Sequence, residues 1–231
     1  MEQPVALITG ASQGLGRALA TELAGRGWAL VIDARRPDRL EATKQELAVK
    51  TTVVAIAGDV TDPEHRARLV KEVEALGRLD LLVNNASTLG ASPLPELATI
   101  EPDVLRRTYD VNVVAPLALT QPLLPLLTER HGTVVSITSD AGVEPYPTWG
   151  GYGSSKAAFE HLSAVLGVEQ PGIRVLVVDP GDLRTEMHQD AFPGEDISDR
   201  PPPDASAAAV VALVARGATS GRYRTAAVEV S

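Results

Sequence analysis

The sequence predicts an α/β protein built on one doubly wound parallel sheet with helices on both faces. Short apolar runs alternate with helical segments along all 231 residues, a pattern that is typical of strand–helix–strand units. A glycine-rich turn follows the first apolar run. Aromatic residues make up only 3%, so the core must be aliphatic, as it is between buried parallel strands and their covering helices. The length suits a single domain over residues 1–231.

Each of the first four predicted strands lies beside a helical segment. Glycines and a helical stretch to Arg26 follow the first strand, and the charged segment Pro37–Lys50 follows the second. A third helix opens where Thr61 or Asp62 can cap it and Pro63 suits its first turn. The four strands are predicted at Val5–Ile8, Ala29–Ile32, Val53–Ile56 and Leu79–Val83.

The second half of the chain continues this alternation. Two proline- and alanine-rich patches, Pro201–Pro203 and Ala207–Ala209, predict a turn and the beginning of a helix. Residues 182–202 show no clear periodicity, which predicts a long loop, and loops of this length are usually functional or mobile. Further strands are predicted at Thr133–Ile137, Ile173–Val178 and, as a last candidate, Thr225–Val230.

Charge and composition argue against several kinds of partner. The formal net charge of −9 opposes binding to nucleic acid and to anionic membranes. The absence of cysteine fits a reducing compartment, and a first strand at Val5 leaves no room for a signal peptide. The apolar run Val111–Leu127 is short and interrupted by prolines, so we expect no membrane span. These features predict a soluble, cytoplasmic protein.

The segment Thr9-Gly10-Ala11-Ser12-Gln13-Gly14-Leu15-Gly16 lies between the first strand and the first helix. Glycines there let the backbone turn sharply and approach a pyrophosphate, while the helix N-terminus offers free N–H groups and a positive dipole end. The same glycines could simply form a tight strand-to-helix turn. The position after the first strand of a strand–helix–strand unit favours a dinucleotide cofactor.

The end of the second strand bears on which nicotinamide cofactor binds. An acid there holds the ribose hydroxyls of NAD, whereas a nearby arginine accepts the 2′-phosphate of NADP. Asp33 and the pair Arg35 and Arg36 offer both, and Ala34 stands where an acid would favour NAD. A guanidinium suits a phosphate, so we expect NADP, with NAD as the alternative if Asp33 holds the ribose. The arginines could also be solvated charges, one of them paired with Asp33.

Tyr152 and Lys156 are four residues apart, so they share one face of a helix. The pKa of a free phenol is near 10, and a neighbouring ammonium group lowers it by favouring the phenolate. Tyr152 could then exchange a proton with a carbonyl or alcohol oxygen. This pair is common on helix surfaces, and its meaning depends on the motifs around it.

Several motifs together resemble the short-chain dehydrogenase/reductase family in its single-domain, Rossmann-type form. The resemblance covers nearly the whole chain. The glycine turn matches the family's cofactor turn, and Ser139 precedes Tyr152 by thirteen residues as it does in the family. The other matching motifs, in chain order, are Asp59-Val60, Asn84-Asn85-Ala86, Asn112, Pro180-Gly181 and Thr185.

The resemblance implies a catalytic tetrad and an enzyme dependent on NADP(H) or NAD(H). Ser139 would bind the substrate oxygen, Tyr152 would be the general acid/base, and Lys156 would lower the tyrosine pKa and bind the nicotinamide ribose. Asn112 would hold a water that links Lys156 to solvent. The implied cofactor contacts are Gly10, Ser12, Gln13, Gly14, Leu15, Gly16, Arg35, Arg36, Asp59, Val60, Asn85, Ala86, Tyr152, Lys156, Pro180, Gly181, Leu183 and Thr185, of which the last two would fix the carboxamide.

Three positions depart from the family's usual pattern. Ser87 follows the Asn-Asn-Ala motif where glycine is more frequent, so we expect it to stiffen that loop. Thr138 replaces a frequent serine before Ser139, with no expected effect. Gln13 stands where many NADP-preferring members have a basic residue, which weakens the expectation of NADP.

Two segments that should lie at the carboxyl ends of the strands contain candidates for a substrate pocket. Tyr146, Trp149 and Phe192 indicate an apolar pocket for a small carbonyl or alcohol substrate, although Trp149 could equally pack beneath a loop. His188 fits a loop position better than a catalytic base. The remaining histidines make no spacing that suggests a metal site.

The leading functional prediction is hydride transfer between a nicotinamide cofactor and a carbonyl or secondary alcohol. A cofactor-binding sensor or scaffold without catalysis is the alternative, and the presence of all four tetrad residues argues against it. An epimerase or dehydratase of related fold is a third reading, which the short chain after Pro180 disfavours. The resemblance also implies a homodimer or homotetramer formed through the helices that carry Asn112 and Tyr152.

Overall fold

The computed structural model describes residues 3–229 and shows one seven-stranded sheet in which all strands are parallel. The strand order is β3-β2-β1-β4-β5-β6-β7, so the direction of winding reverses between β1 and β4. Ligands of such sheets bind outside the carboxyl ends of the strands at this reversal. The strands are β1 (Val5–Ile8), β2 (Ala29–Ala34), β3 (Val53–Ala57), β4 (Leu81–Asn84), β5 (Thr133–Ile137), β6 (Arg174–Asp179) and β7 (Gly221–Arg224).

Helices cover both faces of the sheet. Asp62 caps the third helix by accepting a hydrogen bond from the Glu64 N–H, and Pro63 occupies its first turn, as the sequence predicts. In the described range the α-helices are α1 (Gly14–Gly25), α2 (Pro37–Ala48), α3 (Pro63–Ala75), α4 (Pro102–Tyr109), α5 (Ala115–Glu129), α6 (Gly150–Glu169), α7 (Glu186–Ala191) and α8 (Asp204–Ala215).

Alternate residues of the central strands enter two separate cores. Ile8 of β1 packs into the layer beneath α1 and α8, where Leu19 and Val210 are buried. Leu7, one residue earlier, faces the opposite layer, where Leu69 of α3 and Leu123 of α5 are buried. Successive strand side chains point to opposite faces, so uninterrupted apolar runs are needed to fill both layers.

The last strand differs from the prediction. The sequence favoured Thr225–Val230, but β7 comprises Gly221–Arg224, and Thr225–Ala227 form a short 3₁₀ turn; Val230 lies outside the described residues. This edge strand contains two arginines and is not an apolar run, so the apolar pattern did not predict it. Tyr223 packs towards the core, while Arg222 and Arg224 both pair with Asp179 of β6.

Residues 182–202 are also more ordered than predicted. The short helix α7 lies within them, and the Gln189 amide ties its end to the main-chain carbonyls of Phe192 and Glu195. The Arg184 N–H donates to the carbonyl of Pro201, which closes the segment at its base. Because local polar contacts and not an apolar face hold this segment, its sequence shows no apolar periodicity.

The helical run Pro102–Glu129 is longer than the sequence suggested. It is 28 residues long, with a π turn at Asp110–Val114 between α4 and α5, and its length and composition would suffice to cross a membrane. The apolar stretch Val111–Leu127 thus forms only part of a longer helical run. Pro122 and Pro125 are exposed, so water can hydrate the carbonyls that they leave free. The opposite face of α5, including Leu123, is buried in the core.

Candidate active site

A cleft of about 1110 Å³ opens at the carboxyl ends of the strands. The glycine turn after β1 forms one part of its wall, and Tyr152 and Lys156 of α6 line its centre. Tyr146, Trp149 and Phe192 line the opposite end. The structure thus brings the predicted phosphate turn, the predicted tetrad region and the predicted pocket into one continuous space.

The glycine turn needs its glycines for two different reasons. Gly10 and Gly14 have φ angles of +69° and +53°, a region that other residues rarely adopt. At Gly16 an added Cβ would lie 2.3 Å from the Gly10 carbonyl oxygen and 2.5 Å from Nδ2 of Asn85. The helix that follows has no side-chain cap and no acid in its first turn, so its amide groups face the cleft with a positive dipole end. This cradle fits a pyrophosphate.

The Asp33 carboxylate is buried at the edge of the cleft and forms hydrogen bonds that the sequence did not indicate. One oxygen accepts the Gly10 N–H at 2.8 Å, and the other lies 2.9 Å from Nε2 of His65. Burial raises the pKa of Asp33, while the hydrogen bonds from His65 and Gly10 oppose that rise. Asp33 therefore orders the glycine turn through both of its oxygens.

His65 was not singled out from the sequence, yet its ring is fully buried beside the cofactor turn. Arg68 donates to Nδ1 at 3.3 Å, which leaves the proton on Nε2 to face Asp33. An added Cβ at Gly58 would lie 2.2 Å from the ring, so a glycine is required there. The two residues of the Asp33–His65 pair are 32 positions apart, and no local pattern reveals such a pair.

Asp59 lies in the cleft immediately after Gly58. One of its oxygens accepts hydrogen bonds from the main-chain N–H and the hydroxyl of Thr61. Partial burial acts against ionisation, but these hydrogen bonds outweigh it, and the pKa of Asp59 lies below its usual value. The second oxygen remains to accept a hydrogen bond from a ligand. Val60, its predicted companion, is buried in the same wall.

Arg35 and Arg36 both line the cleft next to the glycine turn. Arg36 lies 3.5 Å from Glu186 of α7, which also binds Arg39 at 2.5 Å. Arg39 further donates to the side-chain oxygen of Gln13 at 2.6 Å. Arg39 was not predicted to lie here, although its place in the first turn of α2, close to Arg35 and Arg36, was a signal. The guanidinium groups of Arg35, Arg36 and Arg39 therefore lie at the end of the cleft next to the glycine turn.

Asn85 closes the floor of the cofactor turn. Its amide donates to the carbonyls of Thr9 and Gly10, and the Thr9 hydroxyl accepts the N–H groups of Asn85 and Ala86. The loop after β4 is thus fixed to the loop after β1. Asn84 is buried below and donates to Thr120 of α5.

Tyr152 and Lys156 lie on one face of α6, and the ammonium nitrogen is 5.5 Å from the centre of the tyrosine ring. That nitrogen donates to the Ile137 carbonyl at 2.9 Å and has no acidic partner among residues 3–229. Burial lowers the pKa of Lys156 to about 8.

The pKa of Tyr152 differs from the expectation. Burial raises it above the usual value, and nearby hydroxyls of Ser139 and Ser87 only partly oppose that shift. Negative charges at Asp140 and Asp179 add to the rise. In the protein without ligands, desolvation thus dominates over the expected influence of Lys156. The phenol is neutral at physiological pH and can donate a proton.

Ser139 lies at the end of β5 and caps a short 3₁₀ turn. Its oxygen accepts the Ala141 N–H at 3.2 Å, and its hydroxyl donates to the Asp140 carboxylate at 3.0 Å. A hydroxyl hydrogen rotates freely, so it can turn from Asp140 to a substrate oxygen. The hydroxyl of the preceding Thr138 donates to Glu160 of α6.

Asn112 is buried in the π turn, and all four hydrogen-bonding positions of its amide are occupied. The oxygen accepts from the Ser87 hydroxyl and the Thr88 N–H, and the nitrogen donates to the Thr88 carbonyl and the Ser155 hydroxyl. The Asn112 side chain therefore has no free donor or acceptor for the predicted relay water. Only the main chain of Asn112 could bind that water. Asn112 instead joins α6 to the loop after β4, and Ser87 does restrain that loop.

The segment after β6 supplies the remaining wall. Gly181, with a φ angle of +74°, donates its N–H to Asp179, and Leu183 is buried beside it. Thr185 caps α7 by accepting a hydrogen bond from the His188 N–H. Its methyl group faces Gly14: a Cβ added to that glycine would lie 3.3 Å from it. The predicted contacts of this segment therefore meet the glycine turn across the cleft.

The aromatic side chains form a row that leads outward from Tyr152. Trp149 contacts Tyr152 edge-on at 5.7 Å between ring centres, and Phe192 lies 5.8 Å from Trp149. His188 lies 4.9 Å from Phe192 and also lines the cleft. Trp149 is thus half-buried against Tyr152: it lines the cleft, as the pocket prediction requires, and is also partly packed. Among residues 3–229 no group of three or more histidine and acidic side chains could hold a metal ion.

Comparisons with known proteins agree with this geometry. The family model for the short chain dehydrogenase matches residues 4–196. Rat (Rattus norvegicus) sepiapterin reductase is 36% identical over 199 residues, which cover 80% of this chain and 76% of that protein. A short chain dehydrogenase of the fungus Pseudocercospora fijiensis is 33% identical over 195 residues, covering 81% of this chain but only 62% of the fungal protein's length.

Solved structures extend the likeness to the whole fold. The alcohol dehydrogenase of the archaeon Thermococcus sibiricus, complexed with 5-hydroxy-NADP, superposes with a TM-score of 0.84 at 29% identity. The match covers 96% of each chain. On its fold, its motifs and the family model, this chain belongs to the short chain dehydrogenase family.

Proposed function

We propose that the protein transfers hydride between NADP(H) and a carbonyl or secondary alcohol group of a small molecule. The observation that carries this proposal is the position of Ser139, Tyr152 and Lys156 between the glycine turn and the aromatic row of one cleft. The family is one of NAD(P)-dependent oxidoreductases, and the structural relative from Thermococcus sibiricus holds a derivative of NADP.

Each polar group of the centre has a role in this reaction. In the direction of reduction, Ser139 holds the carbonyl oxygen by a hydrogen bond and Tyr152 gives that oxygen its proton. The reduced nicotinamide, when bound, supplies the hydride. Lys156 keeps a positive charge beneath Tyr152, which stabilises the phenolate left after proton transfer. In the oxidative direction the Tyr152 phenolate accepts the proton that the alcohol hydroxyl loses.

The cofactor is held by two halves of the cleft. Gly10, Gly14 and Gly16 accommodate the pyrophosphate, and Asp59 accepts a hydrogen bond from the adenine. Lys156 binds the nicotinamide ribose, and the main chain at Leu183 with Thr185 holds the carboxamide. The segment 182–202 covers the substrate.

Replacement of Tyr152 by phenylalanine tests the reaction. Tyr152→Phe removes the proton donor but leaves the ring that packs on Trp149. We expect turnover of a panel of aldehydes and ketones to fall by roughly 10²–10⁴-fold, with NADPH affinity retained. The measurement is cofactor oxidation followed by absorbance, with NADPH binding by fluorescence as the control. If the wild type and the variant reduce the panel equally, the tetrad is rejected; if the wild type binds NADPH but reduces none of the panel, the sensor or scaffold is favoured.

The preference for NADP rests on the arginines at the end of β2. Asp33 already accepts the Gly10 N–H and contacts His65, so the ribose hydroxyls of NAD would have to share its carboxylate with these partners. Arg35 is exposed in the cleft and can bind a 2′-phosphate. We expect Arg35→Ala to weaken NADPH binding by about tenfold or more, with little effect on NADH. Arg130→Ala, far from the cleft, is the matched control, and equal losses for both cofactors would reject the phosphate role.

A further inference from the structure

The outer end of the cleft carries a distinctive set of charges. We define the substrate mouth as Asp140, Trp149, Asp182, His188, Asp190 and Phe192, all of which line the cleft beyond Tyr152. Three of these six side chains are carboxylates. Apart from the buried Lys156, the other lysines and arginines that line the cleft are Arg35 and Arg36, which lie at the adenine end.

Two of the three carboxylates lack a basic partner. Asp182 lies 3.8 Å from Arg200 and 4.0 Å from Nδ1 of His188. Asp140 accepts hydrogen bonds from two neutral hydroxyls, those of Ser139 and Tyr146, both at 3.0 Å. In the described part of the chain neither Asp140 nor Asp190 forms an ion pair. Their negative charge therefore faces the mouth without local compensation.

His188 provides an independent sign of a missing ligand. Its side chain is only 10% exposed, and its buried Nε2 has no hydrogen-bond partner in residues 3–229. A buried polar atom without a partner costs free energy, so such atoms are normally paired. The carboxylate near Nδ1 favours a proton on that nitrogen, which leaves Nε2 as an acceptor for an N–H group.

The aromatic rings complete the site. Trp149 and Phe192 lie 5.8 Å apart in a tilted arrangement, with His188 on the far side of Phe192. The faces of tryptophan and phenylalanine attract cations, most strongly where water is excluded. A ligand anion here would meet three carboxylates and two electron-rich rings with no arginine or lysine in the mouth to bind it.

We propose that the substrate is a carbonyl compound, or the matching alcohol, that carries a protonated amine, and that this amine lies in the substrate mouth. The aromatic rings contact its alkyl groups, Nε2 of His188 accepts its N–H, and Asp140 and Asp190 balance its charge. This inference rests on the proposed hydride transfer at Tyr152 and names the class of substrate for that reaction.

Three aldehydes of nearly equal shape test the inference. They are 4-(dimethylaminomethyl)benzaldehyde, which is cationic at pH 7, the neutral isostere 4-isobutylbenzaldehyde, and the anionic 4-(carboxymethyl)benzaldehyde. We expect kcat/KM for the cation to exceed that for the neutral isostere by about tenfold and that for the anion by more. In Asp140→Asn and Asp190→Asn the ratio of cation to neutral isostere should fall several-fold, whereas Asp103→Asn, an equal charge change outside the cleft, should leave it unchanged.

Binding without reaction separates this inference from the proposed function. N,N-dimethylbenzylamine and isobutylbenzene are titrated against the protein with NADPH present, with Trp149 fluorescence as the signal and Trp149→Phe to assign it. We expect the amine to bind about tenfold more tightly than the neutral isostere, even if none of the aldehydes is reduced. A ratio at or below one in kcat/KM or in affinity overturns the cationic substrate, while reduction of the neutral aldehyde would still support the hydride transfer.

Discussion

Lys156 shows how one buried charge links the core to the reaction. Lys156 is only 3% exposed and its ammonium group donates to the Ile137 carbonyl, so the sheet and not an acid fixes its position. Because desolvation penalises the charged form, the pKa falls to about 8. The charge is therefore present at neutral pH but can be lost within the range in which enzymes are assayed.

The pH dependence of carbonyl reduction should report this pKa. Burial keeps Tyr152 protonated well into the alkaline range, so Lys156 is the group that titrates first as the pH rises. We expect kcat/KM at saturating NADPH to be constant near pH 7 and to fall about tenfold per pH unit above about 8. In Lys156→Arg, the guanidinium stays charged, and the fall near pH 8 should disappear from a slower enzyme. A wild-type profile that stays level to pH 9.5 would contradict this assignment.

The identity of the single residues was easier to predict from sequence than their contacts. Tyr152 and Lys156 could be selected because their spacing places them on one helix face, and Ser139 because its distance from Tyr152 resembles the family's pattern. The hydrogen bonds of Asp33 and Asn112 are made to partners 32 and 43 positions away along the chain. Local sequence patterns do not indicate pairs of residues that are so far apart. The raised pKa of Tyr152 likewise follows from burial, which only the packed structure shows.

At the scale of the elements, the strand–turn–helix unit β1–α1 carries the cofactor end of the cleft. Gly25 ends α1 with no atom within 4 Å of an added Cβ, whereas Gly16, two residues into the same helix, would clash with the Gly10 carbonyl. An alanine side chain therefore fits at Gly25 but not at Gly16.

This contrast gives a paired test. In Gly16→Ala, the turn must move from its position against Asn85, so we expect NADPH affinity to fall by about tenfold or more, since phosphate binding depends on close backbone approach. Gly25→Ala should keep NADPH affinity and stabilise the fold by about 0.5–1 kcal/mol. Fluorescence titration and urea denaturation measure the two quantities. Unchanged affinity in Gly16→Ala would mean that the turn does not hold the pyrophosphate.

The elements that sequence predicted well are those defined by apolar runs. β1 and β5 have the predicted bounds, because buried parallel strands need uninterrupted apolar residues. β7 was misplaced, since its alternating arginines are held by Asp179 and Glu160 and not by an apolar face. α7 was missed because a six-residue helix with a Thr185 cap is too short to show a period.

At the scale of the whole molecule, the outer face of α6 is unusually apolar. Leu162, Val165 and Val168 recur at intervals of three along the helix and are exposed, Val168 by 83%. Exposed apolar side chains grouped on one face often mark an interface between subunits. We propose a homodimer or homotetramer that packs through α5 and α6, the helices next to Asn112 and Tyr152. Such an interface would hold α6, and with it the catalytic pair, in place from outside.

A charge placed on this face should separate the subunits. Val165→Asp puts a carboxylate within the apolar stripe, where its desolvation on association would be costly. We expect the molar mass measured by light scattering after gel filtration to fall from that of an oligomer to that of a 24.3 kDa monomer, with cofactor turnover reduced as α6 loses its outer support. Val49→Asp, at an 82% exposed valine that follows α2, is the matched control and should leave the mass unchanged. A wild-type protein that is monomeric at tens of micromolar would exclude this role for α6 and leave its apolar stripe facing solvent.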